Sequence, residues 1–444
     1  MKVHFIAIGG SAMHNLAISL KVKGYEVSGS DDEIFEPSKT RLDNYGILPP
    51  AIGWDADRIT PDLDAVILGM HARMDNPELL KAKDLHLKIY SYPEFLYEQS
   101  KNKKRIVVGG SHGKTTITSM ILHVLHHHRI ACDYMVGAQL EGFDVMVKLS
   151  DDAPFMVIEG DEYLTSPIDR RPKFHVYRPD VGIISGIAWD HINVFPTFEN
   201  YVEQFQIFAD IIPDSGTFIY CKEDETCRNI AAKRNHPHAF GYELPAYEIE
   251  NHTYYLSVDG KRIPLQIFGK HNLLNLNAAR LACNSMGVSD AQFYEAIQGF
   301  KGASKRLELV KANEHCAVYK DFAHSPSKLS ATIDAVKDTF PDRKLVACVE
   351  LHKFSSLTAE FLLQYKNTMN RADEAFVYFN PHTIAHKKLP PITEEMICKA
   401  FNNPTVRVFQ DSKALLNALH AMEWKDANLL LMSSGNFDGI DFNF

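Results

Sequence analysis

The chain has 444 residues, which is too long for one hydrophobic core and is typical of two or three domains. Acidic side chains outnumber basic ones, 56 to 47, so no chain-wide positive field attracts nucleic acid or anionic lipid. The seven cysteines form no Cys-x-x-Cys pair, and no run approaches the roughly 18 apolar residues of a membrane span. We therefore expect a cytoplasmic protein of three domains, with buried cysteines, no disulfide scaffold, no structural zinc and no membrane insertion.

The first hundred residues alternate strand-like and helix-like segments, a pattern typical of a parallel sheet covered by helices. Strands are predicted at 3–8, 26–28 and 65–68, and helices at 12–23 and 92–99. The glycine turn Gly9-Gly10, followed by Asp31 after the second strand, resembles a dinucleotide fingerprint that lacks its third glycine. The turn therefore favours a nucleotide-like ligand other than a nicotinamide or flavin cofactor.

The most informative stretch is VVGGSHGKTT, residues 107–116. It joins a predicted strand to a helix-like segment, 117–125, so backbone N–H groups and the positive end of the helix dipole can face a phosphate. The Lys114 side chain can reach terminal phosphates, and the Thr115 hydroxyl can ligate Mg²⁺. Val108 stands where the usual pattern has its outermost glycine. The predicted nucleotide-binding residues here are Gly110, Ser111, His112, Gly113, Lys114, Thr115 and Thr116.

Two further α/β units follow a basic run at 101–105, which is predicted to be either a linker or a solvated turn. The second unit has predicted strands at 155–159 and 181–185, a helix at 199–209, a hairpin at 247–267 that turns at 259–260, and a helix at 272–286. The third unit starts near 317, with strands predicted at 345–350, 374–378 and 429–433.

Polar residues at the predicted strand ends could complete a nucleotide site. Glu159 ends a strand where a phosphate-loop protein holds a second metal-binding acid, and a solvated acidic turn is the alternative. His191 could be a metal ligand. Because Mg²⁺ prefers oxygen ligands, a purely structural role is the alternative. Asn272 and Asn275 could contact adenine or phosphate, or Asn272 could simply cap its helix.

Another polar group lies at the start of the third unit. Arg306 could clamp a phosphate, and Asp321 could accept a hydrogen bond from a ribose hydroxyl. His324 adds an imidazole close to Asp321 in the sequence. Ordinary surface ion pairing is the other interpretation of these residues.

Taken in order, these segments resemble the Mur ligase family, which builds the peptide stem of peptidoglycan by ATP-dependent amide formation. The resemblance covers nearly the whole chain and rests on GGSAMHNLA, GGSHGKTT, VIEGDE, WDH, GKHNLLN, SKRLE, DFAHSP and MSSGNFDG. The family's shortened phosphate loop matches the departure at Val108. The resemblance implies an α/β architecture of three domains: a Rossmann-like UDP-sugar domain at 1–100, a central P-loop ATPase domain at 101–302, and a Rossmann-like ligase domain at 303–444.

The same resemblance implies roles for individual residues. The UDP-sugar would contact Ser11, Met13, Ser30, Asp31 and His71. Catalysis would depend on Lys114, Glu159, His191, Arg306 and His324; Mg²⁺ would be held by Thr115, Glu159 and His191; and ATP would also contact Asn272, Asn275 and Asp321. His324 is a candidate base, because the attacking amine must be unprotonated. Gln206 stands where several relatives carry a carbamate-modified lysine, so no carbamate is predicted.

Within the family, the segments DEY at 161–163 and DRRPKF at 169–174 indicate the substrates. They resemble a ligase that joins the lactyl carboxylate of UDP-N-acetylmuramate to the peptide L-Ala-γ-D-Glu-meso-diaminopimelate, in peptidoglycan recycling. Addition of L-alanine in peptidoglycan biosynthesis is the alternative within the family. Outside it, a nicotinamide oxidoreductase and a non-enzymatic nucleotide switch are the alternatives. The expected partners are small molecules, and the expected assembly is a monomer or a weak homodimer.

Overall fold

The computed structural model describes residues 1–138, 143, 145–440 and 442. Its contacts divide the chain into two compact units, each of which holds two β-sheets of its own within the described residues. The first unit contains Met1–Ile187, Val202–Tyr242 and Ala278–Ala296, and the second contains Ala188–Tyr201, Glu243–Asn277 and Ile297–Phe444. Over the described parts of the chain, we find no helix with the length and apolar character needed to cross a bilayer.

The first sheet of unit one is built from the N-terminal hundred residues. Its elements are β1 (Lys2–Ile6), α1 (Ser11–Val22), β2 (Glu26–Ser30), α2 (Ser38–Asn44), β3 (Ala65–Leu68), α3 (Pro77–Asp84), β4 (Ile89–Ser91) and α4 (Tyr92–Ser100). The strands are parallel in the order β2-β1-β3-β4. Every residue of β3 is fully buried, as expected for a parallel strand covered on both faces.

The second sheet of unit one has seven strands. The elements in this part of the chain are β5 (Lys104–Gly109), α5 (Lys114–His127), β6 (Cys132–Met135), β7 (Val147–Lys148), β8 (Phe155–Glu159), α6 (Lys173–Val176), β9 (Val181–Ile184), α7 (Phe198–Asp210), β10 (Thr217–Cys221), α8 (Glu225–Arg234) and β11 (Ala239–Tyr242). The strand order is β11-β10-β9-β5-β8-β6-β7, and only the edge strand β7 is antiparallel to its neighbour. The strand order reverses at β5, so the loop after β5 opens into the crevice where α/β sheets bind ligands.

The remaining elements include the two sheets of unit two. These elements are β12 (Tyr247–Glu250), β13 (Thr253–Val258), β14 (Lys261–Leu265), α9 (Lys270–Ser285), α10 (Asp290–Ile297), β15 (Glu308–Ala312), β16 (Cys316–Asp321), α11 (Pro326–Thr339), β17 (Lys344–Leu351), α12 (Ala359–Leu362), β18 (Glu374–Phe379), α13 (Pro381–His386), α14 (Glu394–Phe401), β19 (Val406–Phe409), α15 (Ser412–His420) and β20 (Ala427–Met432). Of these, α10 and the second half of α9 fall mainly in unit one. One sheet is the antiparallel β12-β13-β14 meander, which turns at Asp259-Gly260 as predicted. The other has the order β15-β16-β20-β17-β18-β19 and is parallel except at β15. Apolar residues of both its faces are buried in core clusters.

The predicted α/β fold class is confirmed by these mainly parallel sheets. The prediction that the cysteines are buried is right for five of the seven. It is wrong for Cys316, which is half-buried, and for Cys398, which is exposed in the middle of the short amphipathic helix α14.

The basic run at 101–105 begins as an exposed turn at Lys101 and Asn102, but from Lys103 onward it is neither a linker nor a solvated turn, so both predictions are wrong for that part. Lys103 and Arg105 are buried, and Arg105 lies within β5. The Lys103 ammonium lies 2.6 Å from a carboxylate oxygen of Asp133, and the Arg105 guanidinium lies 3.1 Å from one of Asp180. These two ion pairs tie the start of β5, and the residue before it, to segments that lie on either side of this strand in the sheet.

Replacing Lys103 with alanine is expected to lower the free energy of unfolding by about 3 kcal/mol, because it leaves the fully buried Asp133 carboxylate without its cation. The midpoint of urea-induced unfolding measures the change. Lys101→Ala is the matched control, since Lys101 pairs with Glu98 on the exposed surface and should shift the midpoint little. Equal shifts for the two variants would contradict a structural role for the buried pair.

Candidate active site

The phosphate loop connects β5, at the centre of its sheet, to the 14-residue helix α5. Gly110 and Gly113 both adopt positive φ, +134° and +79°, which favours glycine at these positions. A side chain at Gly110 would also collide with Ser185, because a Cβ atom there would lie 2.1 Å from the Ser185 hydroxyl oxygen. The loop therefore has the strand, glycine turn and helix N-terminus that anion binding requires.

Lys114 begins α5, and its side chain folds back over the loop. The ammonium donates to the carbonyl oxygen of Gly110 and to the carboxylate of Glu162, both at 2.6 Å. Burial lowers the pKa of Lys114, but the carboxylates of Glu162, Asp161 and Glu159 outweigh it and hold that pKa above its ordinary value. The lysine therefore keeps its positive charge at neutral pH, within the loop that is predicted to bind phosphate.

Thr115 and Glu159, both predicted to bind Mg²⁺, lie next to each other. The Thr115 hydroxyl donates to one carboxylate oxygen of Glu159 at 2.8 Å, and the backbone N–H of Gly137 donates to the other at 2.7 Å. Glu159 stands at the end of β8, beside the phosphate loop. A hydroxyl and a carboxylate are the oxygen donors that a hard cation such as Mg²⁺ prefers, so these residues fit the ion.

The rest of the loop is anchored to the end of β9. Ser111 donates to the carbonyl oxygen of Gly186 through both its backbone N–H and its hydroxyl, at 3.0 and 3.2 Å. The Ser185 hydroxyl donates to the carbonyl oxygens of Gly109 and His112. A Cβ atom at Gly186 would lie 2.0 Å from the His112 ring, so the close packing requires glycine. Neither Ser185, the last residue of the strand predicted at 181–185, nor Gly186, which follows it, was predicted to take part in the site.

A cavity of about 290 Å³ in unit one brings two predicted regions together. On one side lie the N-terminus of α1, with Ser11, and the start of α4; on the other lies the carboxyl end of β8, with Glu159. The described lining residues are Ser11, Ala12, Asn15, Tyr92, Met135, Val136, Gly137, Met146, Val147, Glu159, Asp161, Lys173 and Tyr177. A predicted UDP-sugar residue and a predicted metal-binding residue therefore share one cavity.

The other predicted UDP-sugar residues do not line this cavity, as far as the described residues show. Met13 is buried in α1, and His71 is exposed. Ser30 is fully buried and donates its hydroxyl to Glu78. Asp31 closes the glycine turn, because its carboxylate accepts from the Gly9 N–H at 2.7 Å, and burial raises its pKa.

The asparagines of the GKHNLLN segment lie within α9, which begins at Lys270. Asn272 and Asn275 are both buried. The Asn272 amide donates to the carbonyl oxygen of Phe268 at 2.9 Å, one turn earlier. Because Asn272 stands two residues inside the helix, the alternative that it is the N-cap is wrong.

Arg306, Asp321 and His324 all belong to unit two. The buried Asp321 carboxylate accepts from the N–H groups of Leu307 at 2.7 Å and Ala323 at 2.6 Å. Burial raises its pKa despite the nearby charge of Arg306. The Arg306 guanidinium lies over the Phe322 ring, 4.7 Å from its centre. Asp321 is therefore a buried anchor of two turns, and surface ion pairing does not describe it.

The ring of His324 is oriented by a backbone contact within its own loop. Its Nδ1 lies 2.7 Å from the carbonyl oxygen of Phe322, which can only accept, so Nδ1 carries the proton and Nε2 is the acceptor. Burial, with Lys328 nearby, lowers its pKa to about 3, although Asp190 raises it. The role of His324 as a general base stays a prediction.

His191 also belongs to unit two, whereas Thr115 and Glu159 belong to unit one. Its backbone has a positive φ of +55°, and its N–H donates to the carboxylate of Asp190 at 2.8 Å. Lys328 lies 3.8 Å from the same carboxylate group. Burial would raise the pKa of Asp190, but Lys328 and the two histidines keep it below its ordinary value.

A phosphate loop at the centre of a parallel sheet, with an acid and a hydroxyl beside it, defines a nucleotide-binding α/β protein. Three family models match consecutive parts of the chain: "Mur ligase family, catalytic domain" at residues 2–104, "Mur ligase middle domain" at 108–283, and "Mur ligase, glutamate ligase domain" at 305–435. The chain belongs to the Mur ligase family, and it is an ATP-dependent ligase of peptidoglycan synthesis that forms carbon–nitrogen bonds. The oxidoreductase and nucleotide-switch alternatives are therefore wrong.

Individual relatives include two kinds of ligase. A UDP-N-acetylmuramate–L-alanine ligase of Sulfurihydrogenibium sp. (strain YO3AOP1) is 33% identical over 368 residues, which cover 81% of this chain and 78% of that protein. A UDP-N-acetylmuramate–L-alanyl-γ-D-glutamyl-meso-2,6-diaminoheptandioate ligase of Haemophilus influenzae is 27% identical over 451 residues, covering 99% and 97%. The crystal structure of a UDP-N-acetylmuramate-alanine ligase from Thermotoga maritima is similar in fold, with a TM-score of 0.72, 22% identity, and coverage of 99% and 97%.

Proposed function

We propose that this ligase joins the lactyl carboxylate of UDP-N-acetylmuramate to the amino group of L-Ala-γ-D-Glu-meso-diaminopimelate, in peptidoglycan recycling. The cavity that extends from Ser11 to Glu159 carries the proposal. An acid bound at the first sheet would reach the end of β8, where Glu159 contacts Thr115 of the phosphate loop at 2.8 Å. The Haemophilus influenzae relative, which is named for this peptide, covers 99% of the chain. We assign residues 1–100 to the UDP-sugar, 101–302 to ATP and 303–444 to the ligase domain.

The reaction would proceed in two displacement steps. An oxygen of the lactyl carboxylate attacks the γ-phosphorus of ATP, the bond to the β,γ-bridging oxygen breaks, and ADP leaves an acyl phosphate. The amine nitrogen then attacks the acyl carbon, the bond to the phosphate oxygen breaks, and the released phosphate takes up the proton that the nitrogen loses. Both steps spread negative charge around the transferred group, which Lys114 and the N–H groups of residues 110–116 stabilise.

Mg²⁺ fits this site through the oxygens of Thr115 and Glu159, and His191 is proposed as a third ligand. The ion would supply positive charge to the phosphate oxygens. Thr115 and Glu159 keep their oxygens beside the loop, since Gly137 fixes the orientation of the Glu159 carboxylate. Asn272, Asn275, Arg306 and Asp321 are proposed to contact the nucleotide.

Transfer of L-alanine is the second candidate. The Sulfurihydrogenibium relative, named for that substrate, has the higher identity of the two, 33% against 27%, over a smaller share of the chain. Both candidates use the same acid and nucleotide, so they differ only in the amine.

A product-mass assay tests both candidates. The purified chain is incubated with ATP, Mg²⁺ and UDP-N-acetylmuramate, together with equal concentrations of the peptide and L-alanine. We expect the mass of the peptide conjugate. The L-alanine conjugate alone would favour the second candidate, and consumption of neither amine would overturn the proposed function.

A further inference from the structure

The DEY and DRRPKF segments, at 161–163 and 169–174, form the two arms of one closed hairpin. Its contacts are a β-bridge between Leu164 and Pro172, and backbone hydrogen bonds from Thr165 to Arg171 at 2.9 Å, from Ser166 to Asp169 at 3.0 Å and from Lys173 to Tyr163 at 3.0 Å. These backbone contacts hold the two segments next to each other. Their pairing fixes the backbone of Lys173 at the start of α6.

Lys173 extends from this hairpin to the cavity described above. Among the described residues that line the cavity, its side chain is the only one with a positive charge. The ammonium lies 2.7 Å from a carboxylate oxygen of Asp161, and 5.9 Å from the centre of the Tyr163 ring. An ammonium group has three N–H donors, so the contact with Asp161 orients Lys173 and leaves donors for a second anion.

The other charged side chains among the described residues that line the cavity are negative. Glu159 and Asp161 contribute two carboxylates to the lining, which would repel an acidic ligand. The other nearby cation, Lys114, already donates to Glu162 and to the Gly110 carbonyl. Lys173 is thus the cation that the protein itself presents to an acid inside the cavity.

The cavity wall beside Lys173 also contains two tyrosine hydroxyl groups. The hydroxyls of Tyr92 and Tyr177 are buried, and they have no hydrogen-bond partner among the described residues. Tyr92 is 6% exposed and Tyr177 is fully buried. Buried polar groups in proteins are normally hydrogen-bonded, so this wall suits a polar ligand better than an apolar one.

We propose that Lys173 is a specificity-determining residue that binds the reacting carboxylate of the acid substrate by a charge-assisted hydrogen bond. It thereby distinguishes a nucleotide sugar that carries an acid from one that does not. The inference rests on the proposed function at the same site, and it adds the residue that selects the acid.

Direct binding measurements with two nucleotide sugars test this role. UDP-N-acetylmuramate carries the lactyl acid, and UDP-N-acetylglucosamine lacks it, so the ratio of their dissociation constants isolates the contribution of the carboxylate. Lys173→Gln is expected to weaken binding of the first by roughly 10- to 100-fold and to leave the second unchanged. Lys173→Arg should restore part of the preference, because it keeps the charge.

Lys148→Gln is the matched control, since Lys148 lies on β7 next to the lining residue Val147 but has an exposed side chain. It should leave both dissociation constants unchanged. A Lys173→Gln variant that keeps the wild-type ratio, or that loses both sugars equally, would overturn the proposal. If the wild-type protein forms the amide product and binds the acid sugar selectively, such a result leaves the proposed function intact. A wild-type protein that shows no preference for the acid sugar would overturn the Lys173 proposal, whereas the proposed function would be overturned only if no amide product formed.

Discussion

Replacing Lys114 with alanine is expected to reduce substrate-dependent release of ADP by about a hundredfold or more. The ammonium lies inside the phosphate loop, and its contacts with Glu162 and the Gly110 carbonyl, both at 2.6 Å, place it where the γ-phosphate would bind. Negative charge gathers on that phosphate in both displacement steps, and no other side chain of residues 110–116 carries a permanent positive charge. A coupled assay of ADP release measures the effect.

The stability of this variant needs its own control, because Glu162 is 1% exposed and would lose its cation. The double variant Lys114→Ala/Glu162→Gln removes the buried charge as well. It should recover much of the melting temperature lost by the single variant, but none of the activity. Activity that returned with stability would show that Lys114 acts only on folding. Near-normal turnover in the single variant would contradict its place at the phosphate.

Replacing Glu159 with glutamine is expected to raise the Mg²⁺ concentration for half-maximal ADP release by about tenfold or more. Glutamine keeps the shape of the side chain, but it loses the charge and one of two acceptor oxygens. Those oxygens now accept from Thr115 at 2.8 Å and from Gly137 at 2.7 Å, so the geometry around a cation would also change. A Mg²⁺ titration at saturating ATP measures the shift.

Glu203→Gln provides the control for lost charge, because Glu203 is exposed on α7 and no role is proposed for it. Its Mg²⁺ titration should overlay that of the wild-type protein. An unchanged titration for Glu159→Gln would remove Glu159 from the metal site, even if turnover fell.

The features that local sequence signals specify were predictable. The strand at 155–159 has the predicted bounds, because four apolar residues end at an acid. The turn at Asp259-Gly260 was predictable because both residues tolerate positive φ, which they adopt here. The phosphate loop combines a buried strand, three glycines and a helix start within ten residues, so its shape needed no long-range information.

Features that depend on distant partners were not predictable. The basic run resembles a solvated segment in the sequence. In the structure, however, Lys103 contacts Asp133, which is 30 residues away, and Arg105 contacts Asp180, which is 75 residues away. Ser30 is a polar residue in a strand, and its hydroxyl donates a hydrogen bond to Glu78, 48 residues away. The low pKa of His324 arises from burial by the folded chain, which no sequence window contains.

The cavity between Ser11 and Glu159 has walls from two separate sheets, one built from the first hundred residues and one from the next part of the chain. A molecule that fills it binds only while both walls are in place. Opening either sheet therefore also costs the free energy of binding that molecule. This extra cost rises with the logarithm of the concentration of the molecule. An abundant acid substrate would therefore stabilise the two sheets together.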